Sequence, residues 1–356
     1  MADKVGASIA IKSLYKIFGR DGAAYVEQVK QGMSKAELNE KHGHVLGLKD
    51  INIDMPAGRI QVIMGLSGSG KSTLIRHINR LIDPTVGEVL VGGTDVVKMN
   101  GACLRNFRRH QTAMVFQKFA LLPHRNVLDN VVYGLEIQGL SRARQVEAAT
   151  QWIERVGLEG FEGRYPNELS GGMQQRVGLA RALTNDAPIL LMDEAFSALD
   201  PLIRMDMQTI LLDLQKEIRK TIVFITHDLD EALRLGDQIA ILRDGEIIQQ
   251  GTGQDIVLRP ADNYIARFVR EVNRSRVVKA ATVMTAVRVG AVPSGPALDQ
   301  EATLEDAVRE MKAFGSQTAH IVDAQGMVVG EIDIGALAEA MVMPDELPDT
   351  VKRNSQ

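Results

Sequence analysis

Cysteine is nearly absent from this sequence, since Cys103 is the only one among 356 residues. No disulfide can therefore form within the chain, which fits a reducing compartment. Aromatic residues make up only 4% and the net charge is -4, so the chain offers little stacking surface and no basic field for nucleic acid. The first residues, Met1–Val5, lack the apolar core of a secretion signal. No apolar run approaches the ~20 residues of a membrane-spanning helix, so we expect a partner to hold the protein at any membrane where it works.

A glycine-rich turn between a predicted strand and a predicted helix is the most informative pattern present. Arg59–Met64 is apolar and partly β-branched, as in a buried strand, and Leu74–Ile82 has apolar residues at helical spacing. The turn between them fits G-x-x-x-x-G-K-[ST], the phosphate-binding P-loop. Its backbone N–H groups can face one anion, Lys71 can reach the β- and γ-phosphates, and the Ser72 hydroxyl can bind Mg²⁺. We therefore predict an ATP site formed by Gly65, Ser67, Gly68, Ser69, Gly70, Lys71, Ser72 and Thr73.

Two adjacent carboxylates follow another apolar strand. Ile189–Met192 runs directly into Asp193 and Glu194, and parallel α/β sheets bind ligands at the carboxyl ends of their strands. We predict that Asp193 holds Mg²⁺, partly through water, and that Glu194 orients or deprotonates an attacking water. Without a P-loop upstream, two solvated carboxylates at a strand end would be the simpler interpretation.

A second helix start suited to anions lies at Leu169–Arg176. Ser170, Gly171 and Gly172 stand immediately before a predicted helix, Gln174–Leu183, whose first N–H groups and dipole favour negative charge. One nucleotide does not need two such sites from one chain. A symmetric pair of chains could use each of them once.

The order of the apolar segments predicts an α/β fold with a mainly parallel sheet. Between about residues 60 and 249, apolar strands alternate with longer helical segments, which favours a sheet covered on both faces. Ser8–Phe18 is predicted to be an edge strand. A small helical insertion follows at about residues 20–44, with a capping box at Ser34 and Glu37.

These motifs, in this order, resemble the nucleotide-binding cassette of ABC transporters. Leu-Ser-Gly-Gly-x-Gln at Leu169–Gln174 is the signature of that family, and Ser197–Asp200 and His227 also match it. The resemblance spans about residues 8–275. It implies a P-loop NTPase with a mainly parallel sheet, an antiparallel β part and a helical subdomain at about residues 118–186.

A narrower resemblance is to the ATPase subunits of glycine betaine, proline and choline importers. It rests on Tyr15–Gly19, the insertion, Ile63–Gly70 and Tyr264–Arg274, while Phe119–Asn130 matches the surface that faces the membrane partner. It implies an ATPase at the cytoplasmic face of the membrane that drives osmolyte uptake. Its partners would be transmembrane permease subunits and, indirectly, an extracytoplasmic substrate-binding protein, with no nucleic acid. The osmolyte stays open among glycine betaine, proline betaine, choline, carnitine, proline, histidine and trimethylamine N-oxide.

The family resemblance also implies a head-to-tail homodimer with two ATP molecules in its interface. The P-loop of one chain would face the signature of the other. Asp200 matches the loop that crosses between the two sites. The residues predicted to contact ATP across the dimer are Ser170, Gly171, Gly172, Gln174 and Asp200.

Further roles come from the same resemblance. Gln117 matches the glutamine that contacts Mg²⁺ and couples to the membrane subunit, and His227 matches the histidine that senses the γ-phosphate. With Glu194 they form the predicted catalytic set. Phe18 matches the aromatic residue on which adenine stacks, with Tyr15 as a nearby competitor and core packing as the alternative for Phe18.

Residues 1–276 are expected to form the cassette, residues 277–343 a small α+β domain, and residues 344–356 a flexible tail. In the small domain, Ile321–Asp323, Gly326 and Gly330 resemble one CBS repeat. Such repeats normally pack in pairs, so pairing would take place between chains. A role in dimerisation is therefore favoured over sensing of a ligand or of ionic strength.

The alternative function is that of a soluble ABC ATPase acting on ribosomes or DNA. Ribosome-associated forms usually carry two cassettes, whereas this chain has one. The stretch Lys118–Glu168 is too short for the long coiled coil of the DNA-repair forms and lacks sustained heptads. The importer subunit is therefore the preferred interpretation.

Overall fold

The computed structural model describes residues 6–117, 119–286 and 295–342. The predicted tail at 344–356 lies outside them. The described strands are β1 Ile9–Phe18, β2 Val45–Met55, β3 Ile60–Met64, β4 Val86–Val91, β5 Thr94–Asp95, β6 Thr112–Phe116, β7 Ile189–Asp193, β8 Thr221–Thr226, β9 Gln238–Arg243, β10 Glu246–Gly251, β11 Thr285–Ala286, β12 Ala297–Asp299, β13 Thr318–Val322 and β14 Val328–Asp333.

The α-helices of the same residues are α1 Val26–Lys30, α2 Lys35–His42, α3 Lys71–Ile78, α4 Gly101–His110, α5 Val127–Val131, α6 Tyr133–Gln138, α7 Arg142–Arg155, α8 Gly171–Thr184, α9 Pro201–Ile218, α10 Leu229–Leu235, α11 Gly253–Leu258, α12 Asn263–Val269, α13 Ala280–Val283, α14 Leu304–Phe314 and α15 Ile334–Met341. Within this described part of the chain, no helix combines the length and the apolar character that crossing a bilayer requires.

The larger sheet confirms the predicted parallel α/β fold. Its six strands lie in the order β10-β9-β3-β8-β7-β6. β3 pairs in parallel with β8 and β9, and β7 pairs in parallel with β6 and β8. The strands β3, β7 and β8 are buried along their whole length, which explains their unbroken apolar sequence. Asp244 (φ 52) and Gly245 (φ 87) make the left-handed two-residue turn between β9 and β10.

The second sheet corrects one prediction. β1 is not an edge strand, because it pairs antiparallel with β2 on one side and with β4 on the other. The strand order is β2-β1-β4-β5, and the partner β4 lies far downstream, where local patterning gives no sign of it. The Ser13 backbone has φ 44, and its N–H donates to Asn52 Oδ1 at 2.8 Å. At this irregularity in the pairing of β1, the Ser13 N–H donates to a side chain instead of to a backbone carbonyl of a neighbouring strand.

Helix α3 packs into the core between the two sheets. Leu74, Ile75 and Ile78 are fully buried there, in one cluster with residues of β1, β2, β4, β7 and β8. The loop before α3 is therefore fixed at the carboxyl end of β3 by the packing of the helix that follows it.

The helical insertion between β1 and β2 forms as predicted. Ser34 and Glu37 make the capping box of α2. Val29 and Leu38 are fully buried against Tyr15 and Ile17 of β1. The insertion thus has its own small apolar core, anchored on the end of the antiparallel sheet.

His44 joins the two ends of this insertion. Its Nδ1 lies 2.7 Å from the carbonyl oxygen of His42, and its Nε2 lies 2.6 Å from that of Arg20. Carbonyl oxygens only accept hydrogen bonds, so both contacts are satisfied together only when both ring nitrogens carry protons. These two backbone acceptors raise the pKa of His44 above its ordinary value.

Helices α5, α6 and α7 pack against α8, in the region where a helical subdomain is expected. Asn130 of α5 is fully buried. Its amide donates to the carbonyls of Leu122, Arg125 and Asn126 at 2.9–3.1 Å and accepts from the Leu122 N–H at 2.8 Å. The loop before α5, in the segment expected to face a membrane partner, is therefore held by one side chain.

The described residues form two compact units. One comprises the described residues of 1–228 with 235–248, and the other comprises 229–234 with the described residues of 249–356. The second unit contains the sheet β11-β14-β13-β12, and Thr303 caps α14 as predicted. The CBS resemblance and the boundary at residue 276 stay predictions.

Candidate functional site

Lys71 lies inside the glycine-rich loop that joins β3 to α3. Its side chain is only 4% exposed, and Nζ donates to the carbonyl oxygens of Gly65 at 2.7 Å and Leu66 at 3.0 Å. Nζ is also 3.7 Å from Glu194 Oε1. Burial lowers the pKa of Lys71, while the Glu194 carboxylate acts in the opposite direction. The ammonium group thus lies within the loop, between its backbone carbonyls and the Glu194 carboxylate.

The rest of the loop combines exposed and buried groups. Ser67 and Gly68 are exposed at its tip, and Thr73 is half-buried in the first turn of α3. The Ser69 hydroxyl is buried and has no hydrogen-bond partner among the described residues. The Ser69 N–H donates to the Leu66 carbonyl at 3.2 Å. Glycines with left-handed or extended backbone and an exposed tip are typical of loops whose N–H groups bind an anion.

A hydroxyl and a carboxylate meet beside the loop. Ser72 Oγ donates to Asp193 Oδ1 at 2.7 Å, and the guanidinium of Arg76 donates to Asp193 Oδ2 at 3.2 Å. Ser72 and Asp193 supply oxygen donors of the kind that Mg²⁺ prefers, so the predicted pair fits this ion. Arg76 was not predicted, although its spacing of four residues from Ser72 places both on one face of α3.

The predicted catalytic side chains converge on Glu194. Gln117 Nε2 donates to Glu194 Oε2 at 3.0 Å, and His227 Nδ1 lies 3.7 Å from the same oxygen. Glu194 itself has φ 47, a left-handed backbone that costs a non-glycine residue about 1–2 kcal/mol. Three side chains from separate segments, those of Lys71, Gln117 and His227, therefore meet at the Glu194 carboxylate.

Ser197 supports this arrangement and was missed as an individual residue. Its hydroxyl donates to the Glu194 carbonyl at 2.9 Å and accepts from Gln117 Nε2 at 3.4 Å. The turn that presents Glu194 is thereby tied to Gln117. The signals in the sequence were its place in Ser197–Asp200, which matches the family, and its position three residues after the carboxylate.

The signature forms the exposed start of α8. Ser170 caps the helix by accepting from the Met173 N–H at 3.3 Å, so the helix begins at Gly171, three residues before the predicted start. Ser170 and Gly171 are exposed. Gln174 instead turns back, since its Nε2 donates to the carbonyls of Pro166 at 2.9 Å and Leu169 at 3.2 Å. The helix start is open to a second molecule, and contact with another chain's P-loop stays a prediction.

Asp200 is exposed at the start of α9, where its carboxylate accepts from the Ile203 N–H at 3.1 Å. Arg204, in the first turn, donates to the Leu199 carbonyl at 3.2 Å and to Asp228 Oδ2 at 3.4 Å. Arg204 was not predicted. It ties the loop of Asp200 to the residue that follows His227.

The two candidate aromatic residues of β1 have different surroundings. Tyr15 is 5% exposed and packs in the small core of the insertion. Phe18, at the end of the strand, is 39% exposed, and the Lys16 ammonium lies 5.0 Å from its ring centroid. Of the two rings only that of Phe18 is exposed, which favours it as the stacking residue.

Gly47 connects this ring to the glycine-rich loop. A Cβ atom at Gly47 would lie 2.6 Å from Phe18 Cε2, so the ring packs directly on the backbone. On the other side, a Cβ atom at Gly70 would be 2.7 Å from the Gly47 carbonyl oxygen, and one at Gly245 would be 2.9 Å from it. The Phe18 ring and the loop are therefore separated by one strand of backbone.

Comparison with known proteins identifies a family and several relatives. Residues 48–197 match the family model described as ABC transporter. The chain is 47% identical over 330 residues to the glycine betaine transport ATP-binding protein OpuAA of Bacillus subtilis, covering 93% of this chain and 77% of that protein. It is 46% identical to the glycine betaine/proline betaine transport system ATP-binding protein ProV of Escherichia coli, covering 95% and 84%. Each of these relatives is named for transport, which gives no support to the ribosome or DNA alternative.

A solved structure shares the fold. The dimeric post-hydrolysis state of the ATP-binding cassette MJ0796, bound to ADP and Pi, matches with a TM-score of 0.59 and 32% identity. The match covers 69% of this chain and 98% of that one. That cassette is thus a dimer that holds the products of ATP hydrolysis.

Proposed function

We propose that this chain, which belongs to the family of ABC transporter ATP-binding proteins, hydrolyses ATP to drive uptake of a betaine-type osmolyte. The observation that carries the proposal is the convergence of Lys71, Gln117 and His227 on the Glu194 carboxylate, next to the Ser72–Asp193 pair. The names of the two relatives described above supply the substrate class, which includes glycine betaine and proline betaine.

Binding of the triphosphate would exchange contacts within the loop. Lys71 would give up the carbonyls of Gly65 and Leu66 and donate to the β- and γ-phosphates. Ser72 and Asp193, with the amide oxygen of Gln117, would hold Mg²⁺, which when bound offsets phosphate charge. Phe18 would take the adenine ring on its exposed face.

Hydrolysis would depend on Glu194. Its carboxylate would orient the attacking water and accept its proton, which is worth roughly 10²–10⁴-fold in rate. Gln117 donates to the carboxylate on one side, and Ser197 holds the backbone of Glu194 through its carbonyl oxygen. His227, whose side chain is 56% exposed, is free to donate to the γ-phosphate.

The exposed start of α8 supports a head-to-tail dimer. Ser170, Gly171 and Gly172 of a second chain would donate to the γ-phosphate that the first chain's P-loop holds, because a helix N-terminus favours anions. The related MJ0796 cassette is a dimer with ADP and Pi bound. Loss of the γ-phosphate would remove this bridge and allow the dimer to open.

Transport also requires membrane partners. We place the chain at the cytoplasmic face of the membrane, bound to permease subunits through the segment Phe119–Asn130, with a substrate-binding protein outside. The half-exposed Leu121 and Leu122 of this segment and the side-chain bracing by Asn130 suit a firm apolar contact.

Vesicles that contain the chain with its permease subunits test the proposal. ATP inside the vesicles and labelled glycine betaine with the binding protein outside should give uptake that unlabelled proline betaine competes away. Glu194→Gln should bind ATP normally but lose most ATP turnover and uptake together. ATP turnover without uptake of any quaternary amine would contradict the substrate class, whereas normal turnover by Glu194→Gln would contradict the mechanism.

A further inference from the structure

The chain after Gln117 contains a turn that its own residues do not favour. Phe119 has φ 52 and Ala120 has φ 48, and both are in the left-handed region that non-glycine residues avoid. Neither residue is Asn or Asp, whose side chains ease this conformation. The turn must therefore be held by contacts from elsewhere.

Arg181 supplies those contacts. It lies on α8, and its NH1 donates to the Ala120 carbonyl at 2.7 Å while its NH2 donates to the Phe119 carbonyl at 3.0 Å. One planar guanidinium thus binds both left-handed residues, a two-point grip that a lysine ammonium cannot reproduce with the same geometry. Burial lowers the pKa of Arg181, and a cation held in partly desolvated surroundings makes strong hydrogen bonds.

The turn follows closely after the residue that contacts the Glu194 carboxylate. Phe119 is two residues beyond Gln117, and Gln117 Nε2 donates to Glu194 Oε2 at 3.0 Å. The same helix that carries Arg181 begins with the exposed signature at Gly171. A displacement of α8 would therefore shift the turn through the Arg181 side chain, and a shift of the turn would displace Gln117.

We propose that Arg181 is a positioning residue that keeps Gln117 on Glu194 by clamping the Phe119–Ala120 turn to the signature helix. This inference rests on the proposed function, because it assigns Gln117 a part in ATP hydrolysis. Arg181 acts through the turn and touches neither nucleotide nor the reacting carboxylate.

The matched control is Arg176 on the same helix. It is also half-buried and also donates to a backbone carbonyl, but that carbonyl belongs to Val156 at the end of α7, at 3.0 Å. We expect Arg181→Met in the purified full chain to lower kcat by about 10- to 100-fold, since small misplacements of catalytic groups have effects of this size. Its KM for ATP and its urea midpoint should change no more than those of Arg176→Met. Arg181→Lys should fall between wild type and Arg181→Met.

A double-mutant cycle with Gln117→Ala separates positioning from general damage. If Arg181 acts through Gln117, Arg181→Met should lower kcat less than twofold further in the Gln117→Ala background. Losses that multiply in the double variant overturn the proposal, as does a kcat loss by Arg176→Met equal to that by Arg181→Met. If Gln117→Ala alone leaves kcat unchanged, the positioning role fails while ATP hydrolysis and the proposed function stand. Should Arg181→Met not fold, the same cycle is run with Arg181→Lys.

Discussion

Truncation of Phe18 to alanine tests which aromatic residue carries the adenine base. Phe18 is 39% exposed and Tyr15 only 5%, so the substitution removes an exposed ring and little of the core. Stacking of a base on an aromatic side chain is worth ~1–3 kcal/mol by alanine substitution. We therefore expect the Kd for ATP to rise about 5- to 150-fold. Tyr15→Phe, which keeps the buried ring and removes only its hydroxyl, should leave the Kd within twofold.

Calorimetric titrations with ATP and with inorganic tripolyphosphate give the necessary comparison. Tripolyphosphate lacks the base, so its affinity should not change in Phe18→Ala. Gly47→Ala tests the role of the Phe18 ring in a second way. Its Cβ atom would lie 2.6 Å from Phe18 Cε2, closer than the 3.4 Å at which ordinary contact begins. The ring would have to move, and ATP affinity should fall in the same direction. Gly163→Ala is the control, since no heavy atom of the described residues lies within 4 Å of its Cβ position.

Two outcomes would refute this reasoning. Unchanged ATP affinity in Phe18→Ala would show that adenine does not stack on this ring. Equal weakening of ATP and tripolyphosphate would show that the substitution acts through the phosphate loop, and that Phe18 supports the loop instead of the base.

Three further predictions concern other contacts. Lys71→Ala should weaken ATP and tripolyphosphate alike in the same titrations, and equal affinity for wild type and variant would contradict the P-loop assignment. Because the His44 pKa is raised in the folded chain, its contribution to stability is complete below about pH 6.5 and is lost as the pH rises through the folded value. Urea midpoints should therefore fall with rising pH, and His44→Gln should flatten that slope. Asn130→Ala should lower the free energy of unfolding by about 2–4 kcal/mol, because it deprives buried backbone groups of their partners; a loss below ~0.5 kcal/mol would show that the loop does not need them.

Most of the fold could be predicted because its signals are local. The capping box of Ser34 and Glu37 needs only two residues at fixed spacing, and the buried strand β7 needs only an unbroken apolar run. The P-loop and the Asp193–Glu194 pair were predictable in the same way, since strand, turn and helix occur in one order. Their convergence with Gln117 and His227 came from the family resemblance, and the geometry agrees with it.

What could not be predicted depends on contacts between distant segments. β1 was assigned to an edge because its second partner, β4, leaves no trace in the sequence of β1. Arg181 binds two backbone carbonyls, and main-chain acceptors carry no residue identity that a pattern could reveal. Tyr15 and Phe18 were left as alternatives because only the insertion, folded over one end of the strand, buries the first and leaves the second exposed.

The place of Gly47 has a consequence for ligand choice. Its peptide lies between the Phe18 ring, which we propose binds adenine, and the loop that we propose binds the phosphates. A ligand that contacts the ring and the loop at once must have a linker of matching length. The protein would therefore select ligands by the length of that linker as well as by their charge. Ligands with the same ring but a shorter or longer linker should bind more weakly, because they cannot contact both surfaces at once.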